Sequence, residues 1–541
     1  MGAFDHATSL NERIFFAGRR RIIILTAVLL SAFVFLLFTF HTDSRPEWTK
    51  TLNNIHVFGG KGTTLRPAEF HILIPVNKAD ANLCKGILAG AILGYPAPTL
   101  YNWNATGEPM MAKITEAPRF FDSLDKRHDE DLNNEWIQKQ LGEETGRHIH
   151  IDHKIIFASQ KRCWPGKPAD AKCANYYESP LARDMYGPQT DQKSDDPRNP
   201  YLHMRPKYLN AGFILGRVKE LRRLWGRALE KAEEDLDIDG HDQNVFARTW
   251  GEQNHQRASP MSTHKVRVRD DAAVETKIDV PFDPIPDKNY EFGVGLDYTS
   301  SLSIPTVFSE YDIDWVTLSN ASSVNASLQS FNISDPPYGA HRLQSDIAAL
   351  PPPFALLSNV STENTKFNTS AWYNGPGTSW ADIPLFTHLY TGITTAIIHH
   401  NAHRDGLKAR RTTTWDQMWF QPYGRALVRE ALKRRRTRQP IAVDKYGREW
   451  FAPSPGNSQK GSGDGNAEKA GLKVERPGMG KGAGGKGGGG EGGGGEIWGA
   501  RTIDDRGNKA WLSWGDMCDE KAQEEVFRDG EGVWVGEGYG F

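Results

Sequence analysis

The run Ile22–Phe40, IIILTAVLLSAFVFLLFTF, holds nineteen residues without one charge. At about 1.5 Å rise per residue it makes a helix of roughly 28 Å, close to the hydrocarbon thickness of a bilayer. A cleaved signal peptide usually has a shorter apolar run, about 7–15 residues, and then a small-x-small cleavage site. Here the run is longer, and Phe38, Thr39, Phe40 and His41 offer no such site. A core helix apolar on every side is uncommon in soluble domains. Arg13, Arg19, Arg20 and Arg21 precede the run, while Asp43, Arg45 and Glu47 follow it. Positive flanks stay cytosolic, so the expected topology is a type II signal-anchor. Residues 1–21 would be the cytoplasmic tail, 22–40 the span held by membrane lipid, and the rest lumenal.

Beyond the anchor the chain divides by composition. Residues 41–69 read as a stem, 70–452 as one lumenal α/β domain, and 453–496 as a linker that includes GGGGEGGGG. Such a composition cannot bury a core and is expected to be disordered. Residues 497–541 hold four tryptophans and Cys518, which suits a small element packed back on the domain or an independent binding motif. A net charge of −2 and a pI near 6.8 give no electrostatic support to a nucleic-acid partner.

Other features agree with a lumenal location. The N-x-S/T triplets at Asn104, Asn320, Asn325, Asn332, Asn359 and Asn368 are candidate glycosylation sites, and all but Asn104 cluster in one Ser/Asn/Pro-rich stretch. Cys163 and Cys173 flank a short Pro/Gly-containing loop, CWPGKPADAKC, which suits a local disulfide in an oxidising compartment. Cys84 and Cys518 are far apart in sequence, and spacing alone leaves their pairing open.

Between His71 and Tyr423 strand-like and helix-like segments alternate, as in an α/β fold. HILIPV (71–76), PTLYNW (98–103) and KIIFAS (154–159) predict strands, and residues 80–93 predict a helix stopped by Gly94-Tyr95-Pro96. YLNAGFILG (208–216) leads into apolar residues at helical spacing from Val218 to Ala232. A helix restarts at HDQNVFARTW (241–250), and strands return at VGLDYTS (294–300) and TTAIIHH (394–400).

Several residues on this framework could carry chemistry. His399, His400 and His403 lie in HHNAH, and imidazole is a common metal ligand. The chain lacks an H-E-x-x-H, which argues against a zinc hydrolase, and a loop origin is the plain alternative. Asp122 and Asp125 form a D-x-x-D, with DED (129–131) behind it. Carboxylates suit hard cations such as Mg²⁺ or Mn²⁺, although acidic clusters in a chain that is 24% charged are commonly solvated surface. Asp242 is either an ordinary helix N-cap or a base projecting into a site. The glycines of LNAGFILG permit close approach to a ligand or close packing of the strand. KRRRTR (433–438) reads as an exposed helix end.

Taken in order, KIIFASQKRCWPG, RPKYLNAGFILG, the acidic loop with HDQNVF, VGLDYTS and AIIHHN resemble the glycosyltransferase domain of the procollagen lysyl hydroxylase family and its fungal type II membrane relatives. The resemblance spans roughly residues 70–425. It implies a GT-A fold, a Rossmann-like mixed sheet binding a nucleotide-sugar and a divalent cation at the carboxyl ends of the strands. Mn²⁺ is the expected cation and a UDP-hexose the expected donor. By the same resemblance His399 is a metal ligand, with Asp122 and Asp125 the best carboxylate ligands on offer. Asp242 and Gln243 would orient or deprotonate the acceptor hydroxyl, while Asn210, Gly212 and Asn401 would line the site. Lys408 is a diphosphate contact by position, and His400 stands where the family has glycine.

The family also carries an apolar strand ending in D-x-x-D or D-x-D. Between Ala112 and Ile151 the only candidate is FFDSLDKRHDED, with two phenylalanines before Asp122. Either this segment delivers the ligands, or it lies just upstream of a strand that the chain lacks. The expected function is a Golgi or endoplasmic reticulum hexosyltransferase acting on a lumenal glycan or glycoprotein acceptor. The alternative is a non-catalytic glycan-binding or scaffold protein on the same fold. The hydroxylase module of the family is not expected here.

Overall fold

The computed structural model describes residues 68–534 except 107–108, 125–152, 167–172, 174–177, 235–240, 259–284, 286–287, 335, 340, 351–353, 355–374, 376, 402–406, 436–441, 444–448 and 452–498. The apolar run Ile22–Phe40 and Asn359, Asn368 and Asp125 lie outside the described residues. Among those described, no helix is long and apolar enough to cross a membrane.

Strands and helices alternate as the sequence predicts. Strands β1 (Ala68–Glu69) and β2 (Leu73–Pro75) lead to helix α1 (Ala81–Ile92), strand β3 (Thr99–Trp103) and the helices α2 (Pro109–Thr115) and α3 (Ala117–Ser123). Strands β4 (Ile155–Gln160) and β5 (Tyr208–Gly216) precede the long helices α4 (Val218–Glu234) and α5 (Asp242–Ala258). Next come β6 (Val294–Asp297), β7 (Ser303–Pro305), β8 (Ile313–Thr317) and helix α6 (Ala321–Ser330). The predicted 394–400 strand is divided, giving β10 (Ile393–Thr394) after β9 (Pro384–His388), then β11 (Ile397–His399). Helices α7 (Leu407–Asp416) and α8 (Gly424–Arg435) follow, then β12 (Ala442–Val443) and β13 (Glu449–Phe451). The tail adds β14 (Gly499–Asp504), β15 (Lys509–Ser513), α9 (Trp514–Met517) and α10 (Glu520–Phe527).

Two mixed sheets organise the site. One runs β15–β14–β3–β2, parallel except for the β14–β15 hairpin, and the other runs β5–β4–β6 with β4 antiparallel to β5 and parallel to β6. Alternation along a strand sends neighbouring side chains to opposite faces. Leu100 and Ala500 therefore join a core built on α1, α7, α8 and the tail, whereas Tyr101 and Ile503 join a second core with Phe157, Trp225 and Phe246.

Local chemistry explains the elements. Asp80 caps α1 by accepting from the Leu83 N–H at 2.8 Å, and Leu83, Cys84, Ile87, Leu88 and Ala91 make its buried stripe. In α4, Trp225 sits edge-on between Phe121 and Phe246, with ring centroids 5.3 and 4.8 Å away. Helix α5 is unusual in burying Asn244, Thr249, Gln253 and Asn254. Its glutamines explain part of that. Gln253 accepts from Phe292 and Val294 N–H at 3.1 and 3.0 Å and donates to the Val294 carbonyl at 2.9 Å, satisfying the start of β6.

The tail is part of the sheet rather than a separate element. Strand β14 pairs in parallel with β3, and Cys84 of α1 is disulfide-bonded to Cys518. Trp415 and Gln421 both donate to the Val526 carbonyl at 2.9 Å, and Lys85 meets Glu525 at 2.6 Å. The expected Cys163–Cys173 disulfide is present, with Cα atoms 5.5 Å apart.

Candidate active site

The site forms where β5, the start of α5, α2 and the end of β11 meet. Strand β5 bulges against β4: Phe157 pairs with Ile214, and the next residue, Ala158, pairs with Asn210. The residues between, 211–213, are thus pushed out of the ladder, and bulges of this kind re-aim backbone next to functional sites. Two groups hold the edge of the bulge. The Gln243 carboxamide accepts from Ala211 N–H at 2.7 Å and donates to the Leu209 carbonyl at 2.6 Å. The Lys113 ammonium, from α2, donates to the Ala211 carbonyl at 2.8 Å and pairs with the Asp242 carboxylate.

Gln243, expected beside the reacting groups, is thereby a positioning residue: both ends of its amide are committed to the β5 backbone. Asn210 is likewise turned inward. Its amide donates to Gln160 at 2.7 Å, and its carbonyl oxygen accepts from Gly212 N–H at 2.9 Å. Asp242 is the first residue of α5, and its carboxylate is held by Lys113 rather than spent on capping the helix. Burial, with the Asp242 charge adding to it, raises the hydroxyl pKa of neighbouring Tyr101 well above the ordinary value. Sequence reasoning passed over Lys113; its one signal was a basic residue on the first helix after β3.

Gly212 lies directly beneath the His399 imidazole. A Cβ at position 212 would fall 1.8 Å from Cε1 and 2.1 Å from Nδ1 of that ring. The close approach expected of LNAGFILG is therefore made by a histidine of the same chain, and only a residue without a side chain admits it. Burial pushes the His399 pKa down to about 3, with the charges of Lys113, His400 and Arg411 adding to the effect. A pKa this low leaves the ring uncharged at neutral pH, and its Nδ1 is buried with no hydrogen-bond partner among the described residues. His400, turned the other way, is also held neutral, its pKa pushed to about 4 by burial. Its carbonyl accepts from Arg411 at 3.2 Å. Asn401 is structural: its side-chain oxygen accepts from Val307 N–H at 3.0 Å.

Of the expected metal set, His399 and Asp122 are described and Asp125 lies outside the described residues. Asp122 is exposed on α3, whose neighbouring Phe121 and Leu124 carbonyls are bound by Arg222 of α4. It thus sits on a helix, not at the end of an apolar strand. Among the described residues no three His, Cys, Asp or Glu side chains gather to hold a metal ion. A neutral imidazole fits one ligand position of a divalent cation; among the described residues no carboxylate pair stands beside it, and no step is routed through a metal. Lys408 lies on α7, His403 lies outside the described residues, and Asn104, Asn320, Asn325 and Asn332 are exposed.

A second feature is the end of β2. It pairs with β3 on one side, and among the described residues no strand pairs with its other edge. No strand stands between β3 and β4 in the described chain, where the D-x-x-D strand was sought. Comparison with known proteins returns no match to a family model, to a curated protein or to a solved structure.

Proposed function

We propose that the chain is a membrane-anchored glycosyltransferase that moves a hexose from a nucleotide-sugar, a UDP-hexose first, to a lumenal glycan or glycoprotein acceptor. The GT-A arrangement, the Golgi or endoplasmic reticulum location and the assistance of Mn²⁺ belong to the same proposal. The observation that carries it is the meeting of the neutral His399 ring and the Lys113–Asp242 pair over the β5 bulge. Those groups come from segments far apart in sequence. In this reading Asp242, held by the Lys113 ammonium, orients the acceptor hydroxyl and takes its proton, within the usual contribution of about 10²–10⁴-fold for general base catalysis. Lys113 fixes that carboxylate and returns a positive charge to the site as the leaving diphosphate gains negative charge.

A second reading, a non-catalytic glycan-binding or scaffold protein, is favoured by the pairing of Asp242 with Lys113 and by the position of Asp122 on a helix. One experiment separates the two. The full chain, solubilised in detergent, is assayed for release of UDP from UDP-glucose and UDP-galactose with and without Mn²⁺, and its thermal midpoint is measured with both ligands. Manganese-dependent release that is lost in Asp242→Asn supports transfer. No release, with no rise of the midpoint by UDP and Mn²⁺ together, refutes it.

A further inference from the structure

We propose that Arg162 is an oxyanion-binding residue at the rim of this site, receiving the phosphoryl oxygens of the donor diphosphate; the donor part of this inference rests on the transferase proposal. Arg162 stands two residues beyond β4, at the carboxyl end of a strand parallel to its neighbour β6, the end at which open α/β sheets bind ligands. Its guanidinium carbon lies 5.5 Å from the centroid of the Tyr201 ring and 5.9 Å from that of Phe308. Those two rings meet edge-to-face at 4.8 Å. The aromatic pair holds the guanidinium by cation–π attraction, which uses none of its N–H donors.

No such partner is present in the described protein: Arg162 makes no hydrogen bond and no ion pair with any described residue, and none of its nitrogens is a buried orphan. The adjacent cation differs: Lys161 is fully buried against Asp312, with Nζ 2.6 Å from the carboxylate. Among the described residues Arg162 therefore keeps a positive charge with no ion-pair partner, beside a lysine that is already paired.

The geometry joins Arg162 to the site from two directions. Gln160, just before it, bonds to Asn210 on β5. On the other flank, Thr306 N–H donates to the His399 carbonyl at 3.0 Å and Val307 N–H to Asn401, so the residues just before Phe308 are tied to the segment that carries His399. Phe308 is buried at a φ of +68°, a left-handed conformation that bulky residues rarely adopt. Strain of this type is retained where surrounding structure imposes it, commonly at ligand clamps. Here it keeps the ring against Tyr201 and Arg162. A forked, fixed, unneutralised guanidinium matches the paired oxygens of a phosphoryl group better than an ammonium does.

The test is calorimetric titration of the detergent-solubilised full chain, without added metal, using inorganic pyrophosphate, UDP and uridine as probes. Arg162→Ala is expected to weaken pyrophosphate and UDP about tenfold or more and uridine by less than about twofold, with an unchanged thermal midpoint. Arg162→Lys is expected to recover only part of the loss, because a point charge replaces a fork. Pyrophosphate binding that is unchanged in Arg162→Ala, or absent from the parent protein, overturns the assignment. Pyrophosphate binding that depends on Arg162, with UDP binding no tighter than pyrophosphate, keeps the oxyanion site and overturns the nucleotide-sugar donor.

Discussion

The contact between Gly212 and His399 gives the sharpest prediction. In Gly212→Ala the new methyl would lie 1.8 Å from Cε1, 2.1 Å from Nδ1 and 2.3 Å from Nε2 of the imidazole. Carbon atoms attract best at about 3.5–4.0 Å, so the ring must withdraw by roughly 2 Å. Rotation in its own plane cannot achieve this, since three ring atoms meet the methyl at once. Gly212 is not in the left-handed region, so backbone strain contributes nothing and the cost is overpacking, about 1–3 kcal/mol. A double-mutant cycle isolates the cause. In a His399→Ala background the obstructing ring is gone, and the same Gly212→Ala change is expected to cost less than about 0.5 kcal/mol. Stability is read by urea unfolding of the full chain in detergent, and UDP binding by calorimetry. Equal costs of Gly212→Ala in the two backgrounds would refute the stacking of His399 on this glycine.

Other consequences follow from the same geometry. Gln243→Leu leaves the Ala211 N–H and the Leu209 carbonyl without their partner, at a cost of about 1–3 kcal/mol for each orphaned group; hydrogen exchange of the Ala211 amide is expected to accelerate, and unchanged protection would contradict the role assigned to the carboxamide. Replacing Cys84 and Cys518 by alanine opens a cross-link of sequence separation 434, against 10 for Cys163 and Cys173, so the first pair is expected to lower the urea midpoint more, within the roughly 2–5 kcal/mol typical of native bridges. His399 and His388 have folded pKa values pushed down to about 3 and about 4, below the ordinary 6.5. The unfolded chain therefore takes up protons first as the pH falls below 6.5, and stability is lost between about 6.5 and 3 with a slope near 1.4 kcal/mol per pH unit for each histidine. His399→Gln is expected to flatten that slope between pH 4 and 6; an unchanged slope counts against a neutral, desolvated ring.

Legibility from sequence varied with the range of the interaction. Local signals held well: Asp80 and Gly94 bound α1 as read, and KIIFAS, YLNAGFILG and HDQNVF became β4, β5 and α5. The Cys163–Cys173 bridge was likewise legible, because its loop is short. TTAIIHH was read as one strand and is two, since Thr394 pairs back to β9 while Ile397 pairs with β7. Asp122 was read as a ligand from its spacing to Asp125, yet helix packing of Phe120 and Phe121 turns that segment into α3. Gln243 was read beside the chemistry, and only the β5 edge beneath it reveals that its amide is consumed by backbone.

The amino-acid order by itself determined the apolar run with its basic flank, the alternation of strands and helices, and the glycine at 212, since these depend on composition and near-neighbour spacing. Tertiary structure decided the rest. Residues 499–504 enter the sheet beside β3, although they follow β13 by some distance along the chain. Lys113, Asp242 and His399 meet over one bulge because three separate elements converge there. Backbone hydrogen bonding and burial reward such contacts only once the sheet is assembled, and a linear pattern carries no record of which distant edge a strand will satisfy.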